Sequence, residues 1–268
     1  MNYYVVDTTL RDGEQKAGVA LGMKDKIEIS KLLNEAGIYQ IEAGIPAMGG
    51  DEKQSIEKMM ELNLKSKISS WNRTNLSDIQ HSIDCGVDII HISVPTSDIQ
   101  IAYKLNKDRN WVIYNMEKAI SFAKEKGFPV TVGFEDASRA DIEFIKHLAL
   151  VAKREGAERI RYADTVGTVF PQKIYEDIKS ISAKAFIDIE IHAHNDFGMA
   201  VANSVAALEG GANYINCTIG GIGERAGNCN FFNFVTAVQH RYDTGNVANN
   251  AKLMEIEKKI LGIIRHGA

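Results

Sequence analysis

Two histidines separated by one residue, His192 and His194, stand at the end of a short apolar run in the segment IEIHAHND. Residues i and i+2 of a β-strand point to the same side, so both imidazoles can face one site. Imidazole combined with a carboxylate is a common ligand set for Zn, Mn, Fe or Co. The spacing therefore predicts a metal site, against the alternative of two strand-end histidines that only hydrogen-bond to loops.

The third ligand is expected from the segment DTTLRDGEQ near the N-terminus. One carboxylate from this segment would complete a three-ligand set with positions left open for a substrate. On spacing alone Asp7 and Asp12 are equal candidates, and a helix cap or a rim salt bridge would explain Asp7 equally well. Arg11 lies beside Asp12. It either binds a keto-acid carboxylate by two hydrogen bonds and stabilises a developing oxyanion, or it is an exposed surface arginine.

A glycine-rich segment, GGIGERAGN, follows the last predicted strand. Its glycines permit positive φ and close backbone approach, so the loop can hold an anion or a cofactor at a helix start. The alternative is a tight turn in which Glu224 and Arg225 simply pair with each other.

The elements that must position these residues repeat along the chain as a short apolar run followed by a longer amphipathic run. The predicted strands are 3–6, 40–43, 67–71, 88–94, 129–134, 159–162, 187–191 and 214–218, and the predicted helices are 24–36, 52–62, 77–85, 111–126, 140–155, 172–182, 200–208 and 230–240. Eight strand–helix units favour an α/β protein with a closed (β/α)8 TIM barrel over an open doubly wound sheet.

We expect one catalytic barrel over residues 1–242, followed by a linker and an amphipathic C-terminal helix over residues 243–268. Active sites of such barrels lie at the C-terminal ends of the strands. Several predicted strands end there in polar residues, including Glu135 after the fifth strand and Thr165 after the sixth.

Composition excludes some classes of function. A net charge of −4 without basic patches gives no support for nucleic-acid binding. Three scattered cysteines indicate a reducing compartment rather than a disulfide framework. The N-terminus lacks the pattern of a signal peptide, and no stretch approaches the length of a membrane helix, so we expect a cytoplasmic protein.

Six segments occur in the order found in the DRE-TIM metallolyase superfamily, between residues 3 and 240. They are DTTLRDGEQ, IEAGIPAMG, FEDASR, ADTVGT, HAHNDFGMAVAN and GIGERAGN. GIGERAGN resembles the loop of the acetyl-CoA-dependent synthases of isopropylmalate, homocitrate and citramalate. IEAGIPAMG and SWNR are most similar to homocitrate synthases that serve nitrogenase cofactor assembly.

The resemblance implies roles for individual residues. It selects Asp12 over Asp7 as the ligand that follows the first strand. The implied metal ligands are Asp12, His192, His194 and Asn228. The resemblance also implies catalytic roles for Arg11 and Glu135, and substrate binding by Arg11, Gln15 and Thr165. Some relatives bind the distal carboxylate with an arginine where this chain has Thr131. Arg73 is a candidate substitute, and a rim ion pair would explain Arg73 equally well.

The implied reaction is an acyl transfer in which acetyl-CoA condenses with 2-oxoglutarate to give homocitrate and CoA. A divalent ion (Mn, Mg, Zn, Co or Fe) would activate the keto acid. The alternatives are a sister synthase for another 2-oxo acid and a non-catalytic assembly subunit. Because family synthases are usually longer, the resemblance also implies a homodimer or a second subunit that supplies the missing C-terminal elements.

Overall fold

Eight parallel strands close into a barrel in the computed structural model, which describes residues 3–243 and 247–266. The strands are β1 (Tyr4–Asp7), β2 (Gln40–Glu42), β3 (Lys67–Arg73), β4 (Ile89–Pro95), β5 (Val130–Glu135), β6 (Arg159–Asp164), β7 (Asp188–Ala193) and β8 (Tyr214–Cys217). Their spatial order is the chain order, and β1 pairs with β8 to complete the ring. The predicted single-domain (β/α)8 barrel is confirmed.

Helices alternate with the strands and cover the outside of the barrel. They are α1 (Met23–Glu35), α2 (Gly50–Glu61), α3 (Leu76–Cys85), α4 (Arg109–Glu125), α5 (Ile142–Arg154), α6 (Pro171–Ala185), α7 (Ala200–Gly210), α8 (Phe231–Val238) and α9 (Asn250–His266). Local sequence fixes many of their ends. Asn75 and Asp108, for example, accept a hydrogen bond from the first turn of α3 and α4, which satisfies an otherwise unpaired backbone N–H.

The side chains of each strand alternate between two environments. On β4, Ile90, Ile92 and Val94 are buried in the apolar core between sheet and helices. The opposite face of the strands fills the barrel interior with polar residues, which we call the barrel floor: Gln40, Glu42, His91, Thr131, Arg159, Arg161 and Glu190. Since β2 and β6 are not neighbours, the 2.6 Å ion pair between Arg161 Nη2 and Glu42 Oε2 crosses this interior.

The expected C-terminal helix is present and covers the outside of the barrel, where α9 packs against α1 and α8. Lys252 pairs with Glu35 of α1 at 2.6 Å, and Glu257 accepts a hydrogen bond from the Gly220 N–H in the loop after β8. The division at residues 242 and 243 stays a prediction, since residues 244–246 of the expected linker lie outside the described residues.

Among the described residues, no helix is both long enough and apolar enough to span a bilayer. The three cysteines are free thiols. The cytoplasmic location stays a prediction.

Candidate metal centre

Asp12, His192 and His194 come together at the C-terminal mouth of the barrel, with ligand atoms all within 4.8 Å of one another. His192 lies on β7 and His194 directly follows it, while Asp12 lies in the turn after β1. The two Nε2 atoms are 3.1 Å apart, and Asp12 Oδ2 lies 3.4 Å from His192 Nε2. All three side chains are buried.

Asn228 joins this group through the glycine-rich loop. Its Nδ2 donates to Asp12 Oδ1 at 2.8 Å and to the Ile222 carbonyl at 2.9 Å, whereas its Oδ1 is buried with no hydrogen-bond partner. A Cβ on Gly223 would lie 2.0 Å from Asn228 Nδ2, so only glycine permits this approach. We call Asp12, His192, His194 and Asn228 the rim cluster.

The charge states of the rim cluster suit a cation. Burial by itself raises the pKa of Asp12, but Arg11 and the two histidines outweigh it and hold that pKa below its usual value. Burial, reinforced by His192, lowers the pKa of His194 to about 3. A carboxylate and a neutral imidazole are the forms that bind metal ions. With the unpaired Asn228 oxygen, the donor set fits a divalent cation of the transition series.

The two aspartates of the DTTLRDGEQ segment have different surroundings. Asp7 accepts hydrogen bonds from the Thr9 N–H at 2.9 Å and the Thr9 hydroxyl at 3.0 Å. Burial raises its pKa to about 7. Asp12, not Asp7, therefore lies with the histidines, and Asp7 forms a tight local turn rather than a rim salt bridge.

Arg11 is about nine-tenths buried rather than a surface arginine. Its Nε donates to Glu42 Oε1 at 2.6 Å and its Nη1 to Asp12 Oδ2 at 3.1 Å. Glu42 also accepts from Arg161, so the Arg11 guanidinium is anchored to the barrel floor from below.

Glu135 and Thr165 are brought together across the ends of β5 and β6. Ser93 Oγ donates to Glu135 Oε1 at 2.9 Å, and Thr165 Oγ1 donates to Glu135 Oε2 at 3.2 Å. The same Thr165 hydroxyl accepts from the Asp136 N–H at 2.8 Å, so both residues are held in fixed orientations.

Gln15 and Arg73 lie further out. Gln15 is exposed and lines, with Arg11, Ile45 and Met48, a cleft of about 250 Å³. Arg73 is two-thirds exposed and forms a forked ion pair with Asp78 at 2.6 and 3.0 Å. Its guanidinium is thus paired with an acid of α3, and its role towards a distal carboxylate stays a prediction.

The GGIGERAGN loop contains the pair of Glu224 and Arg225 that the tight-turn alternative predicts. Arg225 also donates to Asp196 at 2.9 Å and to the Thr165 carbonyl at 2.7 Å. The loop therefore links the ends of β6 and β7 and delivers Asn228, which is more than a tight turn requires.

Sequence reasoning did not name the floor residues Glu42, His91, Arg161 and Glu190, nor Asn216. A signal was present, since QIE, RIRY and DIEIH place polar or charged residues at every second position of otherwise apolar strands. In a barrel those positions share one face.

Comparison with known proteins identifies the family. The HMGL-like family model matches residues 2–260. Homocitrate synthase subunit alpha of Clostridium pasteurianum is 53% identical over 99% of each chain. 2-Isopropylmalate synthase 2 of Caldanaerobacter subterraneus is 47% identical and homocitrate synthase 1 of Nostoc sp. is 41% identical, and this chain spans 67% of the length of either.

Among solved structures, the HMG-CoA lyase of Bacillus subtilis superposes with a TM-score of 0.86 at 19% identity, covering 98% of this chain and 94% of that one. This likeness is one of fold alone. The family match, the close relatives and the six ordered motifs show that the chain belongs to the HMGL-like (DRE-TIM) family and is an acyltransferase of its synthase branch.

Proposed function

We propose that this enzyme condenses acetyl-CoA with 2-oxoglutarate to give homocitrate and CoA, with a divalent metal ion bound by Asp12, His192, His194 and Asn228. The observation that carries the proposal is the buried rim cluster with its unpaired oxygen and two facing ring nitrogens. Two relatives named homocitrate synthase support the choice of substrate. When bound, the ion supplies Lewis-acid polarisation of a keto oxygen.

The protein's own groups orient the reactants. Arg11 presents a guanidinium held by Glu42 and Asp12, which suits it to stabilise an alkoxide at the mouth of the barrel. Glu135, fixed between Ser93 and Thr165, is a carboxylate at the same end of the barrel and is our candidate for proton transfer. Thr165 and Gln15 are proposed to contact the keto acid.

A sister reaction with another 2-oxo acid is the second candidate. The 2-isopropylmalate synthase relative favours it, and so does the turning of Arg73 towards Asp78, because a dicarboxylate needs a cation at its distal end. CoA thiol release with 2-oxoglutarate, pyruvate and 2-oxoisovalerate separates the two. Preference for 2-oxoglutarate supports homocitrate synthesis, and preference for either other acid overturns it.

We also propose that a second polypeptide covers the mouth. Five apolar side chains, each more than half exposed, lie in the strand-to-helix connections at the catalytic end: Met48, Ile99, Tyr103, Phe170 and Phe197. Large exposed apolar side chains that gather at one end of a fold are typical of interaction sites, whereas isolated ones are common on any protein surface. The word "subunit" in the name of the clostridial relative points the same way, and a homodimer is the alternative.

The thiol-release assay therefore runs on the chain alone and with candidate partner subunits, over a series of divalent ions. Turnover that requires a partner supports the two-polypeptide proposal, and full turnover by the chain alone contradicts it. Absence of turnover under every condition favours an assembly role.

Asp12→Asn tests the metal centre. We expect it to weaken Mn²⁺ binding, measured by calorimetry, by more than about 100-fold and to abolish turnover, because a ligand is lost rather than a supporting contact. Asp7→Asn is the matched control in the same segment and should bind Mn²⁺ as the unchanged protein does. Equal binding by both variants would contradict the assigned ligand set.

A further inference from the structure

A buried amide lies directly against the metal centre. Asn216 on β8 is 1% exposed and contacts three polar groups. Its Nδ2 donates to Glu190 Oε1 at 3.0 Å, while its Oδ1 accepts from the Thr8 hydroxyl at 3.0 Å and lies 2.8 Å from His192 Nδ1. Every hydrogen-bonding atom of this side chain is therefore engaged.

Glu190 decides which way the amide faces. Arg161 Nε lies 2.6 Å from Glu190 Oε1 and Arg159 Nε lies 3.2 Å from Oε2, so this carboxylate forms ion pairs with two guanidiniums. An ionised carboxylate only accepts hydrogen bonds. The nitrogen of Asn216 must then face Glu190, which turns its oxygen towards His192.

The orientation of the amide fixes the proton on His192. A neutral imidazole has one N–H and one lone pair. Because the amide oxygen accepts from Nδ1, the proton lies on Nδ1 and the lone pair lies on Nε2, which faces Asp12 and His194. His194 lacks such a partner, since its Nδ1 is buried without a hydrogen bond.

We propose that Asn216 is a positioning residue for the metal centre, which locks the ring orientation and the tautomer of His192 so that Nε2 is always available to the ion. The inference rests on the metal site of the proposed function. The positioning role also explains why position 216 has an amide rather than an acid. A carboxylate in its place would face Glu190 at about the same 3.0 Å, and two buried like charges at that distance repel.

The first measurement is Mn²⁺ affinity by calorimetry on EDTA-treated protein. Loss of a group that orients a metal-bound histidine typically weakens binding by about 10–100-fold, and we expect that loss for Asn216→Ala. Asn203→Ala is the matched control, because Asn203 is an equally buried asparagine on α7 whose amide donates only to the Val169 carbonyl. It should leave Mn²⁺ affinity unchanged.

The second measurement reads the tautomer directly in the metal-free protein, from the ¹⁵N chemical shifts of the histidine side chains. His192 should show a single Nδ1–H form in the unchanged protein and a mixture in Asn216→Ala. A merely structural role for Asn216 would not move this signal selectively. The double change Asn216→Asp with Glu190→Gln exchanges acid and amide, and it should restore both the tautomer and most of the affinity.

The outcomes separate this inference from the proposed function. If the unchanged protein does not bind Mn²⁺ or the other divalent ions, the metal centre fails, while the tautomer measurement still tests Asn216. If it binds and Asn216→Ala binds equally well with an unaltered His192 signal, the positioning role is wrong. If Asn216→Ala does not fold, the double change decides: a mixed tautomer and weak binding in that variant overturn the inference.

Discussion

The floor and the rim of the barrel both contain buried acids, histidines and amides, but they differ in whether these groups have partners. In the floor every ionised group faces an opposite charge, with Arg161 within 2.6 Å of both Glu42 and Glu190. In the rim cluster two ring nitrogens face each other at 3.1 Å, and a buried amide oxygen has no partner. The buried charges of the floor compensate one another, although His91 Nε2 has no hydrogen-bond partner, whereas the rim cluster is complementary to something positively charged.

The difference shows how one barrel can hold buried charges for two purposes. Removing an ion from water costs several kcal/mol unless a partner compensates it, so the floor charges must be mutually paired if the fold is to be stable. Buried oxygen and nitrogen atoms that lack a partner at a barrel mouth are typical of a functional site. Arg11 joins the two regions, because it contacts Glu42 below and Asp12 above.

Removing a buried charge from the barrel floor should lower the free energy of unfolding more than any other change considered below. Arg161→Met leaves the Glu42 and Glu190 carboxylates buried without their shared partner, and we expect a loss of about 3–5 kcal/mol in the free energy of unfolding. Urea unfolding in EDTA measures it. Arg241→Met is the control, since Arg241 is three-quarters exposed in its pair with Glu209 and should cost at most about 1 kcal/mol. Similar losses in the two variants would remove the distinction between floor and surface.

Adding a side chain at the rim cluster should leave the fold intact but lower the affinity of the proposed metal site. Gly223→Ala places a Cβ 2.0 Å from Asn228 Nδ2 and 2.7 Å from Asp12 Oδ1, so the amide must move away from the acid. We expect Mn²⁺ affinity to fall by about 10–100-fold, as for lost supporting contacts. Gly262→Ala in α9 meets nothing within 4 Å and should leave the affinity unchanged. Unaltered Mn²⁺ binding in Gly223→Ala would mean that Asn228 does not need this approach.

Asp7 differs from the acids of the floor, because it is a fully buried acid with no cation in ion-pair distance among the described residues. Burial raises its pKa from 3.8 to about 7, so the folded protein binds this proton more tightly than the unfolded chain does. The stabilisation is complete below about pH 4 and is lost as the pH rises towards 7. Between pH 5 and 6 the protein should lose about 1 kcal/mol relative to Asp7→Asn.

Chemical denaturation of both proteins in EDTA across this range measures the slope. A stability difference between them that stays flat from pH 4 to 7 would show that Asp7 is ionised in the fold. The acids of the floor should not behave in this way, because their guanidinium partners outweigh the effect of burial and lower the pKa of Glu190 below its usual value.

The elements were predictable to within a few residues, because strand and helix periods are local properties. The largest helix error concerns α6, predicted to end at 182 although it continues to Ala185. The prediction relied on glycine as the stop signal, and here Phe186 takes the left-handed conformation with φ 49° instead. The π-helical turn Gln100–Lys104 also carried no recognisable pattern.

The sequence by itself determined that the chain forms a barrel and that His192 and His194 share a face, since both follow from spacing along one strand or between successive strands. It left Asp7 and Asp12 equal by spacing. The family resemblance then selected Asp12, and the tertiary structure supplied the physical reason, by pairing β1 with β8 and so bringing a turn near the N-terminus against residues 180 positions later. Only the tertiary structure revealed the partners of the buried charges, such as Arg161 and Glu42, because a contact across the barrel depends on closure of the whole ring.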